Sequence, residues 1–323
     1  MPKVTALMSV YNGEKYLREA VESILNQTFE DFEFIIINDG SSDSSRDKIL
    51  SYKDSRIRFI ENEKNLGLTK SLNRGLRIAK GKYIARIDVD DISMPGRFEK
   101  QVSFLDEHKE IALVGSWIQI INPQSGEVFV LKYDCDPVII KWTLLFKNPI
   151  AHSSAFFRKE IIEEMGYYKE KYKYAQDFDL WFRISRRYKI ANIAEVLVKY
   201  RIHDESVTKA QQTYNMQRQF VSEIIFNNIN YYINLSKDDF EIFRDALRDG
   251  RILNFRNFIK VRKFYKDLFN SYIKKEDLIK NNIKKILPDY IKKRRSMFKW
   301  ILKYKFYNIY NLCKKFIPRN ICF

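Results

Sequence analysis

The sequence predicts an α/β fold: a sheet flanked by helices fills the first two thirds, and a mostly α-helical, basic extension follows. Three observations carry this. Short apolar runs alternate with helix-period segments over the first 120 residues, the pattern of βαβ units feeding a mostly parallel sheet. Several of those runs end in polar clusters rich in Asp, Asn, Gly and Ser. Charge is unevenly spread: residues 1–204 hold 32 Lys+Arg against 30 Asp+Glu, and residues 205–323 hold 26 against 11, so +15 of the net +17 belongs to the last third.

The elements follow in order. "VTALMSV" (4–10) reads as a buried strand, and "EKYLREAVESILNQ" (14–27) as a helix with Leu17, Val21, Ile24 and Leu25 on one face. "FEFIIIND" (32–39) is a second strand, "SDSSRDKILSY" a short helix and "RIRFIEN" a third strand. "LTKSLNRGLRIAK" (68–80) repeats the helical period, with Gly81 placed as its C-cap. "KYIARID" (82–88) is the fourth strand, and a helix begins after Pro95. Trp181, Phe182 and Ile184 share a helical packing face.

A chain of 323 residues with 45% hydrophobic content suffices for one large domain or two smaller ones. Three cysteines, Cys135, Cys313 and Cys322, are widely spaced without a CxxC pair, which points to a reducing compartment. The N-terminal segment lacks a signal-peptide pattern, and no run of about 18 apolar residues suggests a membrane span. The expected location is cytoplasmic, and any membrane contact is expected to be peripheral.

In an open α/β sheet, ligands bind beyond the carboxyl ends of the strands. Those ends hold Tyr11-Asn12-Gly13, the run Asn38 to Asp43, and Asp88, Asp90 and Asp91. The run after the second strand also suits a turn and a helix N-cap. Three crowded carboxylates repel one another unless a cation or a set of donors compensates them. Mg²⁺ and Mn²⁺ take one or two carboxylates and leave positions open for a diphosphate. Neither GxxxxGK[ST] nor a strand-following GxGxxG is present, so a metal would have to hold the phosphates. The competing reading makes the acids caps for the helix after Pro95, although a cap needs only one.

Together, "VTALMSVYNGEKYLREAVESILNQTFEDFEFIIINDGSSD", "NLGLTKSLNRG" and "GKYIARIDVDDISMPGRFEKQ" resemble the inverting nucleotide-sugar glycosyltransferases of family 2, over about residues 3–205. The resemblance implies a GT-A fold, in which a Rossmann-like mixed sheet is flanked by helices. It implies a domain over 1–205, with a nucleotide-sugar half (1–121) and an acceptor half (122–205), before the helical region 206–323. On the donor side it implies base contact by Asp39 and ribose contact by Asp88. Val10, Tyr11, Asn12, Asn65, Gly67, Lys70, Asn73 and Arg86 complete the implied donor site. The DxD-type motif implies Mn²⁺ or Mg²⁺ on Asp88 and Asp90, with Asp91 adjoining and His203 nearby.

"NPIAHSSAFFRKEIIEEMGYY" and "YAQDFDLWFRISRRYKIANIAEVLVKYRIHDESVT" resemble the acceptor side of the same family. The catalytic base falls on Asp177, with Asp179 close enough to be confused with it, and a helix-start acid is the plain alternative. Acceptor contacts fall on His152, Gln176 and Trp181. Two positions depart from the family pattern: Leu72 stands where relatives carry an Arg that reaches the diphosphate, and Asn38 stands where an Asp often precedes Asp39. Phosphate neutralisation would then fall to the metal, Lys70 or Arg86.

From Lys284 onward, 12 Lys+Arg face one acid, Asp289, interleaved with Phe298, Trp300, Tyr304, Phe306 and Tyr307. Such a stretch suits an anionic bilayer surface, with a solvated basic helix as the alternative. No nucleic-acid module is recognisable. The expected activity is transfer of a sugar from a nucleotide-sugar, UDP-linked, to a lipid-linked precursor of a cell-surface polysaccharide. The alternatives are transfer to polyprenyl phosphate itself and, from another class, a non-catalytic basic binding protein on the same scaffold.

Overall fold

The computed structural model describes residues 1–203, 211–248 and 255–293. The chain divides into two compact units, residues 1–224 and 225–323. The first unit opens as four parallel strands: β1 (Val4–Val10), β2 (Phe32–Asn38), β3 (Ile57–Glu61) and β4 (Tyr83–Arg86). They are joined by helices α1 (Leu17–Leu25), α2 (Ser45–Ser51) and α3 (Leu68–Ile78). Every residue of β1 is buried, as a strand covered on both faces must be. Val4, Ala6, Met8 and Val10 enter one cluster with Leu17, Val21 and Ile24 of α1.

The spatial order β3-β2-β1-β4 reverses direction between β1 and β4, creating a switch point beyond Val10 and Arg86. After β4 the sheet becomes mixed. The short strand β5 (Ile92–Ser93), helix α4 (Arg97–Glu107), the long strand β6 (Ile111–Ile121) and its hairpin partner β7 (Val128–Leu131) follow. Helix α5 (Pro137–Thr143), β8 (Phe156–Arg158), α6 (Lys159–Glu164), α7 (Gln176–Ser185) and β9 (Lys189–Arg201) complete it. β8 runs antiparallel between β4 and β6, and β9 lies parallel to β6, with β5 antiparallel on its far side.

Gly81 has a different purpose from the expected helix cap. Helix α3 closes at Ala79, and a Cβ at position 81 would lie 2.4 Å from the Thr5 backbone nitrogen. The glycine therefore lets the chain entering β4 press against β1. Its N–H donates to Thr5 Oγ1 at 2.8 Å. Trp181 and Ile184 are fully buried in α7 and Phe182 nearly so, as their helical spacing requires.

The described residues beyond 224 are mostly helical. α8 (Gln211–Asn230) enters this region, followed by α9 (Lys237–Arg248), α10 (Phe255–Lys275) and helical residues 280–293. Their aromatic side chains turn inward: Phe243, Tyr265 and Tyr272 are buried, and Phe269 stacks on Tyr290 with ring centroids 4.0 Å apart. No described helix is long and apolar enough to cross a membrane. Of the basic C-terminal stretch, residues 294–323 lie outside the described residues.

Candidate active site

A cavity of about 980 Å³ opens at the switch point of the first unit. Strand ends line it, with Ser9 and Tyr11 at the end of β1, Asp39 after β2, and Asp88 and Asp90 after β4. Asn65, Gly67 and Lys70 extend this lining around the start of α3. His152, Gln176 and Asp177 also line the cavity.

Asp39 is buried, and its carboxylate is occupied within the protein. Oδ1 accepts from Asn62 Nδ2 at 2.7 Å and from the Leu66 N–H at 2.9 Å, and Oδ2 accepts from the Gly67 N–H at 2.9 Å. It thereby ties the end of β2 to the loop entering α3. Gly40, at φ +68°, turns so close to that loop that a Cβ would lie 2.6 Å from the Asn65 nitrogen. The N-cap position of α2, Ser44, makes no side-chain cap bond, and just before it Asp43 Oδ1 accepts from the Ser45 N–H at 3.0 Å.

The end of β4 is wired differently. Asp88 accepts from the fully buried guanidinium of Arg86 and, at 2.7 Å, from Ser153 Oγ. Burial would raise the Asp88 carboxyl, but the Arg86 charge, with hydrogen bonds from Arg86 and Ser153, outweighs it and holds the group below its ordinary value. Among the described residues no guanidinium bonds the Asp90 carboxylate, Arg201 Nε donating instead to its backbone carbonyl at 2.9 Å; burial and the Asp88 charge push the carboxyl upward, against a hydrogen bond from His203. Asp91 points inward, where Oδ1 accepts from the Arg201 N–H at 2.9 Å, and burial with the two neighbouring acids raises it well above the ordinary range. None of the three caps α4.

Among the described residues no three His, Cys, Asp or Glu side chains converge as a ready-made cation cage. The donor set nevertheless fits a hard divalent cation bound jointly with phosphate, which asks for one or two carboxylates rather than a protein cage. Asp88 and Asp90 both face the cavity, and the unfavourable charge at Asp90 is of the kind a cation relieves.

Asp177 sits in the first turn of α7 and accepts from Asn148 Nδ2 at 2.7 Å. Burial pushes its carboxyl up to about 6, while hydrogen bonds from the Phe178 backbone and Asn148 pull the other way. Asp179, two residues on, faces elsewhere. It is paired with Arg183 at 2.7 Å and Lys169 at 3.2 Å and does not line the cavity. His152 lines the cavity with Nε2 2.9 Å from the Tyr168 hydroxyl. Burial and the Arg86 charge push its pKa well down, so the imidazole is neutral.

Apart from Lys70, the remaining candidates do not line the cavity. Trp181 is fully buried, its ring centroid 6.1 Å from that of His152. Asn73 grips the Tyr168 backbone, donating at 2.8 Å and accepting at 3.0 Å. Val10 is a buried strand end whose carbonyl accepts from the Asp39 N–H at 2.7 Å. Asn12 braces the neighbouring turn by accepting from the Ser42 N–H at 2.8 Å. His203 is buried with Nε2 3.1 Å from Asp90 Oδ2. Lys70 faces Glu170 at 3.9 Å with both side chains about half exposed, and Leu72, in place of the family Arg, is fully buried.

The sequence matches the family model described as Glycosyl transferase family 2 over residues 5–166. The chain belongs to this family. An uncharacterised glycosyltransferase of Haemophilus influenzae is 34% identical over 256 residues, covering 76% of this chain and 79% of the relative. The O-antigen biosynthesis glycosyltransferase WbnJ of Escherichia coli is 34% identical over 218 residues, covering 65% and 84%. Among solved structures, TarS 1–349 of S. aureus in complex with UDP-GlcNAc has a TM-score of 0.59 at 17% identity, covering 94% of this chain and 91% of that one. The mannosyltransferase PcManGT of Pyrobaculum calidifontis, in complex with GDP-Man and Mn²⁺, has a TM-score of 0.50 at 16% identity, covering 96% and 88%. These structural likenesses establish the GT-A fold for this glycosyltransferase.

Two residues that brace the cavity's acids were not singled out from sequence. Asn148 and Ser153 hold Asp177 and Asp88 from 29 and 65 residues away. Both fall in "NPIAHSS", a segment with no periodicity to mark them, and only the antiparallel insertion of β8 brings them to the site.

Proposed function

We propose that this glycosyltransferase moves a sugar, with inversion, from a UDP-sugar to a lipid-linked precursor of a cell-surface polysaccharide. The observation that carries the reading is the shared cavity: Asp88, Asp90 and Asp177, the last with its carboxyl raised to about 6, all line it. A general base works best with its pKa near the operating pH. The relatives support the pathway class, since their names specify O-antigen and amylovoran biosynthesis. The UDP-GlcNAc and GDP-Man complexes of the structural neighbours support a nucleotide-sugar donor.

In this reading, Asp39 orders the loop beside the nucleotide base, and Asp88 contacts the ribose. Asp88 and Asp90 are the residues that would hold Mn²⁺ or Mg²⁺, which when bound supplies positive charge to the departing diphosphate. The Asp177 carboxylate takes the proton of the acceptor hydroxyl as that oxygen attacks the anomeric carbon from the face opposite the diphosphate. The carbon–oxygen bond to the diphosphate breaks, and nucleoside diphosphate leaves. Asn148 keeps the Asp177 carboxylate aimed into the cavity, and His152 and Gln176 contact the acceptor. The basic C-terminal stretch places the enzyme peripherally on the inner, anionic face of the cell membrane.

A screen of UDP- and GDP-sugars for thermal stabilisation, with and without Mn²⁺, tests the reading. A ligand that binds only the folded state raises the midpoint as its concentration exceeds Kd. The expected result is stabilisation by a UDP-sugar that requires the metal and is lost in Asp90→Ala. Metal-independent stabilisation, or equal stabilisation of the variant, would contradict it.

A further inference from the structure

The hairpin strand β7 leaves four consecutive apolar residues exposed: Val128, Phe129, Val130 and Leu131, at 58, 52, 42 and 40% of their full accessibility. Its strand pairing among the described residues is with β6 alone. An exposed apolar edge is a pairing and aggregation liability, which soluble proteins ordinarily blunt with charge. This one also borders the active-site cavity.

Register shows how. In-register partners share a face of the sheet, and across β9, β6 and β7 the rows run Val198–Ile118–Leu131 and Tyr200–Ile120–Phe129. Ile118, Ile120, Leu131 and Tyr200 all line the cavity that holds Asp177. Phe129 thus extends the same face outward from Tyr200 and Ile120, forming an apolar strip from the cavity to the open edge. Ile118 and Ile120 are 2 and 5% exposed at its inner end. The opposite face of the hairpin is different in character, because Val130 there aligns with Gln119 and Lys199.

We infer that this strip seats the apolar chain of the acceptor, so that the chain leaves the cavity over Ile120 and Leu131 and rests on Phe129. The inference rests on the lipid-linked acceptor proposed above and adds the surface that would recognise the lipid. Continuity with the cavity favours the acceptor chain over a second protein, since an occupant of the strip reaches the cavity that Asp177 also lines. Burying methylenes against such a strip strengthens binding with chain length.

Calorimetric titration of the full chain with dodecyl glucoside, below its micelle concentration, and with butyl glucoside tests this. The dodecyl compound should bind saturably and at least about tenfold more tightly than the butyl compound. Phe129→Ser should remove most of that difference, whereas Val130→Ser, on the other face, should keep it. Failure of the dodecyl compound to bind, equal binding of the two glucosides, or equal loss in the two variants would overturn the inference. So would concentration-dependent self-association in sedimentation that Phe129→Ser abolishes, because the strip would then belong to a second copy. Hydrolysis of UDP-sugar, measured alongside, separates the two readings. No turnover with chain-dependent binding would fail the donor reading, and normal turnover with chain-independent binding would fail this one.

Discussion

The strand ends after β2 and β4 both present acids to one cavity, yet their surroundings are opposite. Asp39 receives three hydrogen bonds from its own chain, two of them from backbone N–H groups of the loop it fixes. Asp90 shares its surroundings with Asp88 and Asp91, and burial and repulsion press its carboxyl upward. An acid whose donors are supplied by the fold is part of the architecture. An acid short of compensation is where the protein has room for a cation or a substrate proton. Asp177, raised to about 6, belongs with the second kind.

The largest expected effect lies at the uncompensated end. Asp90→Ala should abolish metal-dependent donor binding and turnover while the folded structure survives, because the substitution relieves repulsion. Turnover by this variant at wild-type rate, assayed with and without chelator, would put Asp90 on the architectural side. Asp39→Ala should behave in the opposite way. Leaving buried donors unsatisfied costs roughly 1–3 kcal/mol, so its denaturant midpoint should drop, and donor affinity should fall with the disordering of the Asn65–Gly67 loop. A variant as stable as wild type would contradict the structural role argued for Asp39.

Asp177→Asn should raise stability at pH 8. An acid whose folded pKa lies above its unfolded value destabilises the fold once both states are ionised, and the penalty disappears as pH falls toward 4. The amide removes that penalty, a gain on the order of 1 kcal/mol, which should fade between pH 6 and 4. Chemical denaturation of both proteins at pH 8 and 4 checks the sign. Lys70→Ala should change stability least, within about 0.5 kcal/mol, since the pair it forms with Glu170 is half exposed.

Much of the parallel part of the sheet, with the acids at its strand ends, was legible because the signals are local. β1, β2 and β4 are apolar runs buried along their length, and Asp39, Asp88 and Asp90 follow them directly in sequence. Gly81 misled because a glycine after a helix suits both a cap and a close strand approach, and only the contact with Thr5 distinguishes them. The acceptor side was less legible. Asn148 and Ser153 act through long-range pairing, and the strip ending at Phe129 exists only in the register of β6 with its two partners. The direction in which each acid of an Asp-x-Asp-Asp turn points is likewise set by the turn, which sends Asp91 to the Arg201 N–H.

The central claim is that the raised Asp177 carboxylate, which lines the same cavity as Asp88 and Asp90, takes the acceptor proton. The turnover number at saturating donor and acceptor, measured from pH 5 to 8 for wild type and Asp177→Asn alongside donor affinity, tests it most directly. Wild-type kcat should fall as pH drops through about 6, where Asp177 becomes protonated. The variant should lose about 10²-fold or more while binding donor normally. A variant that keeps its turnover, or a wild-type profile flat through pH 6, would contradict the account.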